Sequence, residues 1–534
     1  MVVIFRADAS IQIGSGHVMR CLTLADALKN EGANCTFICR EHSGNMLALI
    51  QSKGHGLVAL PTKEANTSLT SQYPRQEYLS WLGATPDEDA EQTIVAIQSL
   101  TTDKPAWLIV DHYALDRDWE KQLRPYCQKI MVIDDLADRQ HDCDLLLDQT
   151  FGRDERDYQA LVPEHCTIFT GSYYALLRPE FAQWREYSLQ RRQQPQLKQL
   201  LITLGGMDKN NVTGQVLTTL ANSQLPNDCH ITIVMGEHAP WLESIKAQAQ
   251  QLPWSTEVRV NVTHMAELMA NSDLCIGAAG STTWERCCLG LPTIMLVLAE
   301  NQRKIADELD RKDIAYIIYH VAKLSHKLNT ILTGISSDLR NKAEKTSIIC
   351  DGLGTKRISH HLVGGSFIRR MKTSDLQLVR QWRNHPSVRS CMFNQNEISQ
   401  DEHEQWFLEK SHQQNQFLLL FENQGEPQGF ISFNVKDNLE ADWGFYKAPD
   451  SPQGTGKLLG NYVLDYAFKK IGLAKVNAQV IQYNQSSLAY HQKLGFLKEK
   501  TVKDGYSDGN SHHDVIHFSL PSKIWLKREH EKST

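Results

Sequence analysis

Short apolar runs alternate with longer stretches of mixed apolar and polar positions through the first 350 residues of this 534-residue chain. Such runs, bounded by turn-forming residues, predict buried strands, and the stretches between them are long enough for crossover helices. Runs at 2–5, 34–39, 107–110, 129–133 and 145–147 form one set, and runs at 199–204, 230–235, 257–260, 274–277 and 293–297 form a second. Each set predicts a mostly parallel sheet with helices on both faces, so the front of the chain reads as two doubly wound, Rossmann-like α/β domains. The polar segment 181–195, ending in Arg191-Arg192-Gln193-Gln194-Pro195, reads as their connection, with the ligand cleft beside it.

Past residue 366 the order changes. A strand at 367–369, helices at 375–383 and 401–411, then strands at 416–422, 428–435 and 442–446 without intervening helices predict a meander. A helix at 456–471, a strand at 475–480 and a helix at 486–494 complete an α+β pattern. Glycine-bearing stretches at 350–355 and 363–365 suit a boundary before it. The expected organisation is therefore one Rossmann-like domain at 1–180, a second at 196–350 and an α+β domain at 366–534.

Composition narrows the function classes. Apolar residues at 41% and charged residues at 22% describe a globular protein with a sizeable core. The formal charge of −6, with both signs interspersed, gives no broad cationic face, so nucleic acid is not an expected partner. The opening residues read as a strand and not as an export signal, and no apolar run approaches the roughly 20 residues of a membrane span. A cytoplasmic location without a membrane partner is expected. Twelve cysteines without a CxxC pair suggest reduced, buried thiols and neither a zinc ribbon nor a redox dithiol.

Candidate chemistry sits where strands give way to glycines. After the first strand comes Arg6-Ala7-Asp8-Ala9-Ser10-Ile11-Gln12-Ile13-Gly14-Ser15-Gly16-His17. Gly14 and Gly16 allow close backbone approach to a ligand, the following helix start favours an anion, and His17 at that mouth suits a general base. A structural turn with a core histidine is the competing reading. Arg6 and Asp8 lie on the same strand edge, and Asp111-His112-Tyr113 and Asp134-Asp135 follow later strands, where side chains point over the carboxyl edge of a sheet; helix capping is the alternative for the acidic pairs. In the second domain Gly205 follows a strand, Ser281 and Thr282 open a helix carrying Glu285, and Asn301 and Gln302 start another. This arrangement suits a pyrophosphate and a pair of ribose hydroxyls.

Together these motifs make residues 1 to about 350 resemble the UDP-2,4-diacetamido-2,4,6-trideoxy-β-L-altropyranose hydrolase family of pseudaminic acid biosynthesis, which is related to the GT-B fold. The resemblance implies that His17 activates water, that the glycosidic C–O bond breaks with inversion, and that Ser281, Thr282, Glu285 and Gln302 hold UDP. It implies no metal.

In the third domain a strand with Phe445 and Tyr446 leads into Ser451-Pro452-Gln453-Gly454-Thr455-Gly456-Lys457, and Asn484 precedes a helix containing Tyr490. Backbone N–H groups before a helix can take a pyrophosphate, although an ordinary strand-to-helix turn has the same look. Residues 366 to about 525 resemble the GNAT acetyltransferases, and most nearly those acetylating the 4-amino group of a UDP-altrosamine sugar. The resemblance implies that acetyl-CoA is the donor, that Gly454 and Gly456 cradle its pyrophosphate, that Asn484 meets the pantetheine and that Tyr490 protonates the leaving thiolate. Ser451 departs from the Gln or Arg usual there. The oligomeric state, the acetyltransferase base and the destination of the product are left open. A glycosyltransferase in front, or a third domain serving only for association, are the rival readings.

Overall fold

The structure is a computed structural model and describes residues 1–62, 74–411, 413–436, 438–509 and 511–533. It divides into two compact units, Met1–Ser359 and His360–Thr534.

The first unit contains two separate parallel sheets. One is built from β1 (Val2–Ala7), β2 (Asn34–Arg40), β3 (Gly56–Leu60), β4 (Trp107–Asp111), β5 (Lys129–Ile133), β6 (Leu145–Asp148) and β7 (Thr167–Thr170), in the order β3-β2-β1-β4-β5-β6-β7. The other comprises β8 (Gln199–Thr203), β9 (His230–Met235), β10 (Ser255–Val260), β11 (Leu274–Ala278), β12 (Thr293–Leu296) and β13 (Tyr316–Ile318), in the order β10-β9-β8-β11-β12-β13. In both, the order reverses beside the first strand, the switch point at which α/β sheets bind ligands. Every residue of β4 and β12 is buried, as expected where helices cover both faces. Around the second sheet, Leu200, Ile202, Val216 and Ile231 fill one face, and Leu201, Cys275, Trp284 and Met295 the other.

The segment expected as a helix-ending connection is helical from Pro179 to Arg191, and it docks on the second sheet's domain through polar groups. Arg192 is buried and donates to the carbonyls of Leu289, Ser272 and Met269 at 3.0, 2.7 and 3.0 Å. Arg185 binds the carbonyls of Cys288, Cys350 and Ser347.

Residues 350–355, expected near a boundary, pack into the first unit instead. Cys350 is buried, Thr355 donates to the Leu177 carbonyl at 2.7 Å, and Gly354 lies so close to the Tyr174–Ala175 backbone that a Cβ would collide there.

The second unit is one seven-stranded sheet: β14 (Phe367–Arg370), β15 (Gln416–Asn423), β16 (Glu426–Val435), β17 (Glu440–Lys447), β18 (Lys475–Ile481), β19 (Leu497–Ser507) and β20 (His512–Pro521), in the order β14-β15-β16-β17-β18-β20-β19. All pairings are antiparallel except β17 with β18, which run parallel for only three residue pairs, Glu440–Lys475 to Asp442–Asn477. Beyond Asp442 these two strands no longer pair, and the chain continues from β17 to the helix Thr455–Asp465.

Among the described residues no helix is long and apolar enough to cross a membrane, and no group of three or more His, Cys, Asp or Glu side chains is arranged to hold a metal ion. All twelve cysteines are free thiols, eleven of them buried.

Candidate functional site

The loop after β1 is held by its own polar atoms: Ser10 accepts from the amides of Gln12 and Ile13 and bridges to Gly14, whose φ of +85° is the left-handed conformation glycine adopts cheaply. The helix then begins at Gly16 and presents His17 in its first turn. A Cβ placed on Gly16 would lie 4.0 Å from the Ser281 hydroxyl, so the turn bearing His17 faces the glycine turn of the second sheet's domain. The two front candidate clusters meet there.

His17 Nδ1 lies 2.6 Å from Asp111 Oδ1, and its side chain is 9% exposed. Burial pushes the Asp111 carboxyl up, but Arg20 and His17 more than reverse this and hold it well below the ordinary carboxylate range. An ionised carboxylate only accepts, so Nδ1 carries the proton of the neutral ring and Nε2 keeps the lone pair. Arg20, one turn along the helix, donates to both Asp111 oxygens at 2.6 and 2.7 Å and to Asp135 at 2.7 Å. Tyr113 donates to the same Asp135 oxygen at 2.9 Å, and its ring centre lies 4.6 Å from that of the His17 ring, the two planes nearly perpendicular. Tyr78 extends this aromatic wall, 5.2 Å from Tyr113.

Three sequence expectations need correction here. Asp111, read as a substrate contact, is fully buried and grips His17 and Arg20. Arg6 and Asp8, read as lining the pocket, are also wholly inside: Arg6 pairs with Asp8 and Asp89, Asp89 further accepts from Arg40 and Trp119, and Asp8 accepts from the Arg40 amide. They brace the strand edge from beneath because a buried charge is tolerable only when paired. Of Asp134-Asp135, the first is a buried turn acceptor for Ala137 and Tyr158, and the second joins the histidine network.

On the facing side, Gly205 has a φ of +100°, and a Cβ on Gly205, Gly206 or Gly280 would meet nothing within 4 Å, which leaves open backbone after β8 and β11. Ser281 precedes the helix Thr282–Cys288 and is exposed; Thr282 accepts from Arg286 at 3.1 Å. Glu285 is half-buried, and burial pushes its carboxyl up to about 7 against the pull of Arg178 and Arg286. Gln302 spends its side-chain oxygen on the Leu298 amide at 2.9 Å, so it braces its turn. Asn301 belongs to that turn, Glu300–Gln302, with its side chain outside the described residues. A separate cavity of about 790 Å³ runs along β9 and β10 between Arg191, His230, Glu257 and Arg259; none of the candidate catalytic or binding residues lines it.

In the second unit Gly454, at φ +94°, caps the helix Thr455–Asp465, with open space around its Cα; Lys457 is exposed in the first turn. Phe445 and Tyr446 lie on β17 past the point where it leaves β18. Phe445 packs 5.1 Å from Tyr490, whereas Tyr446 turns to the other face, 5.1 Å from Phe430. Tyr490 donates to the Gly456 carbonyl at 2.7 Å, and burial pushes its phenol up, so it stays protonated. Asn484 uses its side-chain oxygen to cap the helix Gln485–Leu494, accepting from Ser487 at 3.0 Å. The Ser451 hydroxyl has no hydrogen-bond partner among the described residues, and the loop is closed by backbone bonds from Ser451 and Thr455. Glu440 and Asp442 are tied to Lys475 and Lys436 at the surface.

Sequence reading missed Arg20, although its i+3 spacing from His17 places it on the same helix face and was visible.

Residues 200–359 match the model of the glycosyltransferase family 28 C-terminal domain, and residues 368–517 match that of the acetyltransferase (GNAT) domain. An uncharacterized protein of Methanocaldococcus jannaschii is 24% identical over 521 residues, covering 94% of this chain and 98% of its own. The UDP-2,4-diacetamido-2,4,6-trideoxy-beta-L-altropyranose hydrolase of Campylobacter jejuni is 28% identical over 315 residues, 58% of this chain and 97% of that protein. The acetyltransferase PseH of Campylobacter jejuni is 28% identical over 138 residues, 26% of this chain and 85% of that one. The chain is therefore an enzyme that joins a pair of Rossmann-like sheets, the second within a glycosyltransferase family 28 C-terminal domain, to an acetyltransferase (GNAT) domain.

Proposed function

We propose that the chain carries out two consecutive steps of pseudaminic acid biosynthesis. Residues 366–534 acetylate the 4-amino group of UDP-4-amino-4,6-dideoxy-N-acetyl-β-L-altrosamine with acetyl-CoA. The lobes at 1–180 and 196–350 then hydrolyse UDP-2,4-diacetamido-2,4,6-trideoxy-β-L-altropyranose to the free sugar and UDP. The observation that carries the second step is the buried His17–Asp111 pair at the turn facing Ser281.

In the hydrolytic step His17 Nε2 takes a proton from water while the water oxygen bonds to the anomeric carbon. The bond from that carbon to the phosphate oxygen breaks, and UDP leaves with the electron pair. Asp111 stabilises the imidazolium without taking its proton, as in other carboxylate–histidine pairs. Ser281, Thr282, Glu285 and the open turns at Gly205 and Gly280 are assigned to UDP.

In the acetyl transfer, CoA fits the opening between β17 and β18 and the uncrowded turn at Gly454 and Gly456, with Lys457 and Asn484 beside it. The bound thioester supplies an activated acetyl group. The sugar amine bonds to the thioester carbonyl carbon and gives up a proton as the C–S bond breaks, and the Tyr490 phenol, kept protonated by burial, is assigned to supply a proton to the leaving thiolate. Because acetyl-CoA and nucleotide sugars are cytoplasmic metabolites, we assign the enzyme to that compartment.

The test is the full chain incubated with the 4-amino UDP-sugar, with and without acetyl-CoA. Acetyl-CoA should be required before UDP appears, and His17→Ala should stop the sequence after acetylation, cutting UDP release at least a hundredfold. The family 28 match favours one rival, transfer of the sugar to an alcohol. UDP release only when an alcohol acceptor is supplied would establish that rival and sink the hydrolase.

A further inference from the structure

Arg20 is enclosed, with its side chain 8% exposed, and its fork is fully committed. Nε and Nη2 bind the two oxygens of Asp111 at 2.6 and 2.7 Å, and Nη1 binds Asp135 Oδ2 at 2.7 Å. The same Nη2 stands 3.5 Å from His17 Nδ1, so Asp111 Oδ1 is shared between the imidazole and the guanidinium. Tyr113 closes the circuit, donating to Asp135 and touching the His17 ring.

We infer that Arg20 is a positioning residue for His17: its fork fixes the Asp111 carboxylate in the plane that orients the imidazole, and its charge offsets the carboxylate so that the ring can act as a base. The inference rests on the hydrolase reading above. A carboxylate 2.6 Å from an imidazole in a buried site favours the imidazolium, which cannot accept a proton from water. A guanidinium bound bidentately to that carboxylate opposes this, while the carboxylate still sets the tautomer with Nε2 free.

Among the described residues no other cation joins this network. The other charged or titratable groups described around His17 are Asp111, His112 and Tyr113 at the end of β4, Asp135 after β5, and the Cys21 thiol, which lies 3.6 Å from Asp111 Oδ2. Burial pulls the His112 imidazole down to about 3, so it stays neutral. From the facing domain the neighbour of Gly16 is the uncharged Ser281.

Two substitutions separate charge from geometry in the full chain. Arg20→Met removes both, and Arg20→Lys keeps the charge but loses the fork. With histidine 13C-labelled at Cε1, the His17 resonance is assigned by its disappearance in His17→Ala. Arg20→Met should raise the titration midpoint of that resonance by about one pH unit or more, and Arg20→Lys should leave it within a few tenths. In UDP release, Arg20→Met should lower kcat at least tenfold at neutral pH with KM unchanged, its acid limb moving up with the His17 midpoint and activity partly returning at higher pH. Arg20→Lys should lower kcat several-fold with the acid limb in place. A His17 midpoint unmoved in folded Arg20→Met overturns the inference; should that variant not fold, wild-type kcat in Arg20→Lys overturns it. If the unmodified chain releases no UDP, the hydrolase reading falls alone, and the resonance still decides what Arg20 does to His17.

Discussion

Burial pushes the Glu285 carboxyl up to about 7, against the pull of Arg178 and Arg286, and the sign of the consequence can be worked out. In the unfolded chain this carboxyl ionises near the ordinary value of about 4.3. Between that pH and about 7 the native state binds more protons than the unfolded one, so stability falls as pH rises through the window and is level above it. Glu285→Gln removes the dependence. Its stability relative to the unmodified chain should therefore climb between pH 5 and pH 8, by an amount on the order of 1–3 kcal/mol at about 1.4 kcal/mol for each pH unit of displacement, and its melting temperature with it. Thermal melts at the two pH values decide it, and a difference that does not change with pH counts against the assigned environment. Glu285 was legible because helical spacing puts it one turn past Ser281. Arg6 and Asp8 were misread because Arg6 pairs with Asp8 and also with Asp89, which stands on the helix Pro86–Leu100 far along the chain, and nothing local announces that pairing. Side chains at a strand's carboxyl edge can be found from sequence, but whether they face ligand or interior depends on such distant charges.

The two glycines on either side of Thr455, where strand gives way to helix, have different reasons for being there. Gly454 adopts φ +94°, where a Cβ is strained whatever the space, and Gly456 lies within the helix, where a Cβ would meet only Tyr490 at an ordinary 3.7 Å. Gly454→Ala should therefore cost stability, about 1–2 kcal/mol, seen in denaturant unfolding. Gly456→Ala should hold or slightly raise stability, since alanine is the better helix former by up to about 1 kcal/mol. If this backbone receives the CoA pyrophosphate, Gly456→Ala nonetheless raises the KM for acetyl-CoA several-fold, and an unchanged KM removes Gly456 from the cofactor site. The same stretch shows what periodicity reveals. Strands predicted at 129–133 and 230–235 match their observed bounds, because a buried parallel strand is a mainly apolar run. β19 escaped notice because ten of its eleven residues are exposed and many are charged, so no alternation marks it. The helix Pro179–Arg191 read as a linker because arginine heads on carbonyl oxygens do much of its docking, and hydropathy does not register them.

The division of the chain after Ser359 falls inside the helix Gly354–Leu362, so that helix ends one compact unit and opens the next. Glycines at 352 and 354 drew the sequence boundary to residue 350, but glycine here answers crowding: Gly354 abuts the Tyr174–Ala175 backbone. The residues just beyond 350 carry ties that the front sheets need. Thr355 donates to Leu177 at 2.7 Å, Arg357 donates to the Tyr173 carbonyl at 2.8 Å and lies 3.6 Å from that ring's centre, and Ile358 is fully buried. A chain shortened to residues 1–350 would leave the Leu177 and Tyr173 carbonyls without these donors and uncover the surface beneath Ile358. Hydrogen bonds lost at about 1 kcal/mol each, and a buried Ile side chain at about 2 kcal/mol, sum to several kcal/mol. That is a large share of the stability of any domain. A chain ending at residue 364 retains all three contacts and should melt cooperatively, while one ending at 350 should melt at least about 5 °C lower or fail to fold. Equal melting temperatures for the two would mean that the segment 351–364 merely follows the front sheets and does not help hold them, and the end of the front unit would then lie at residue 350.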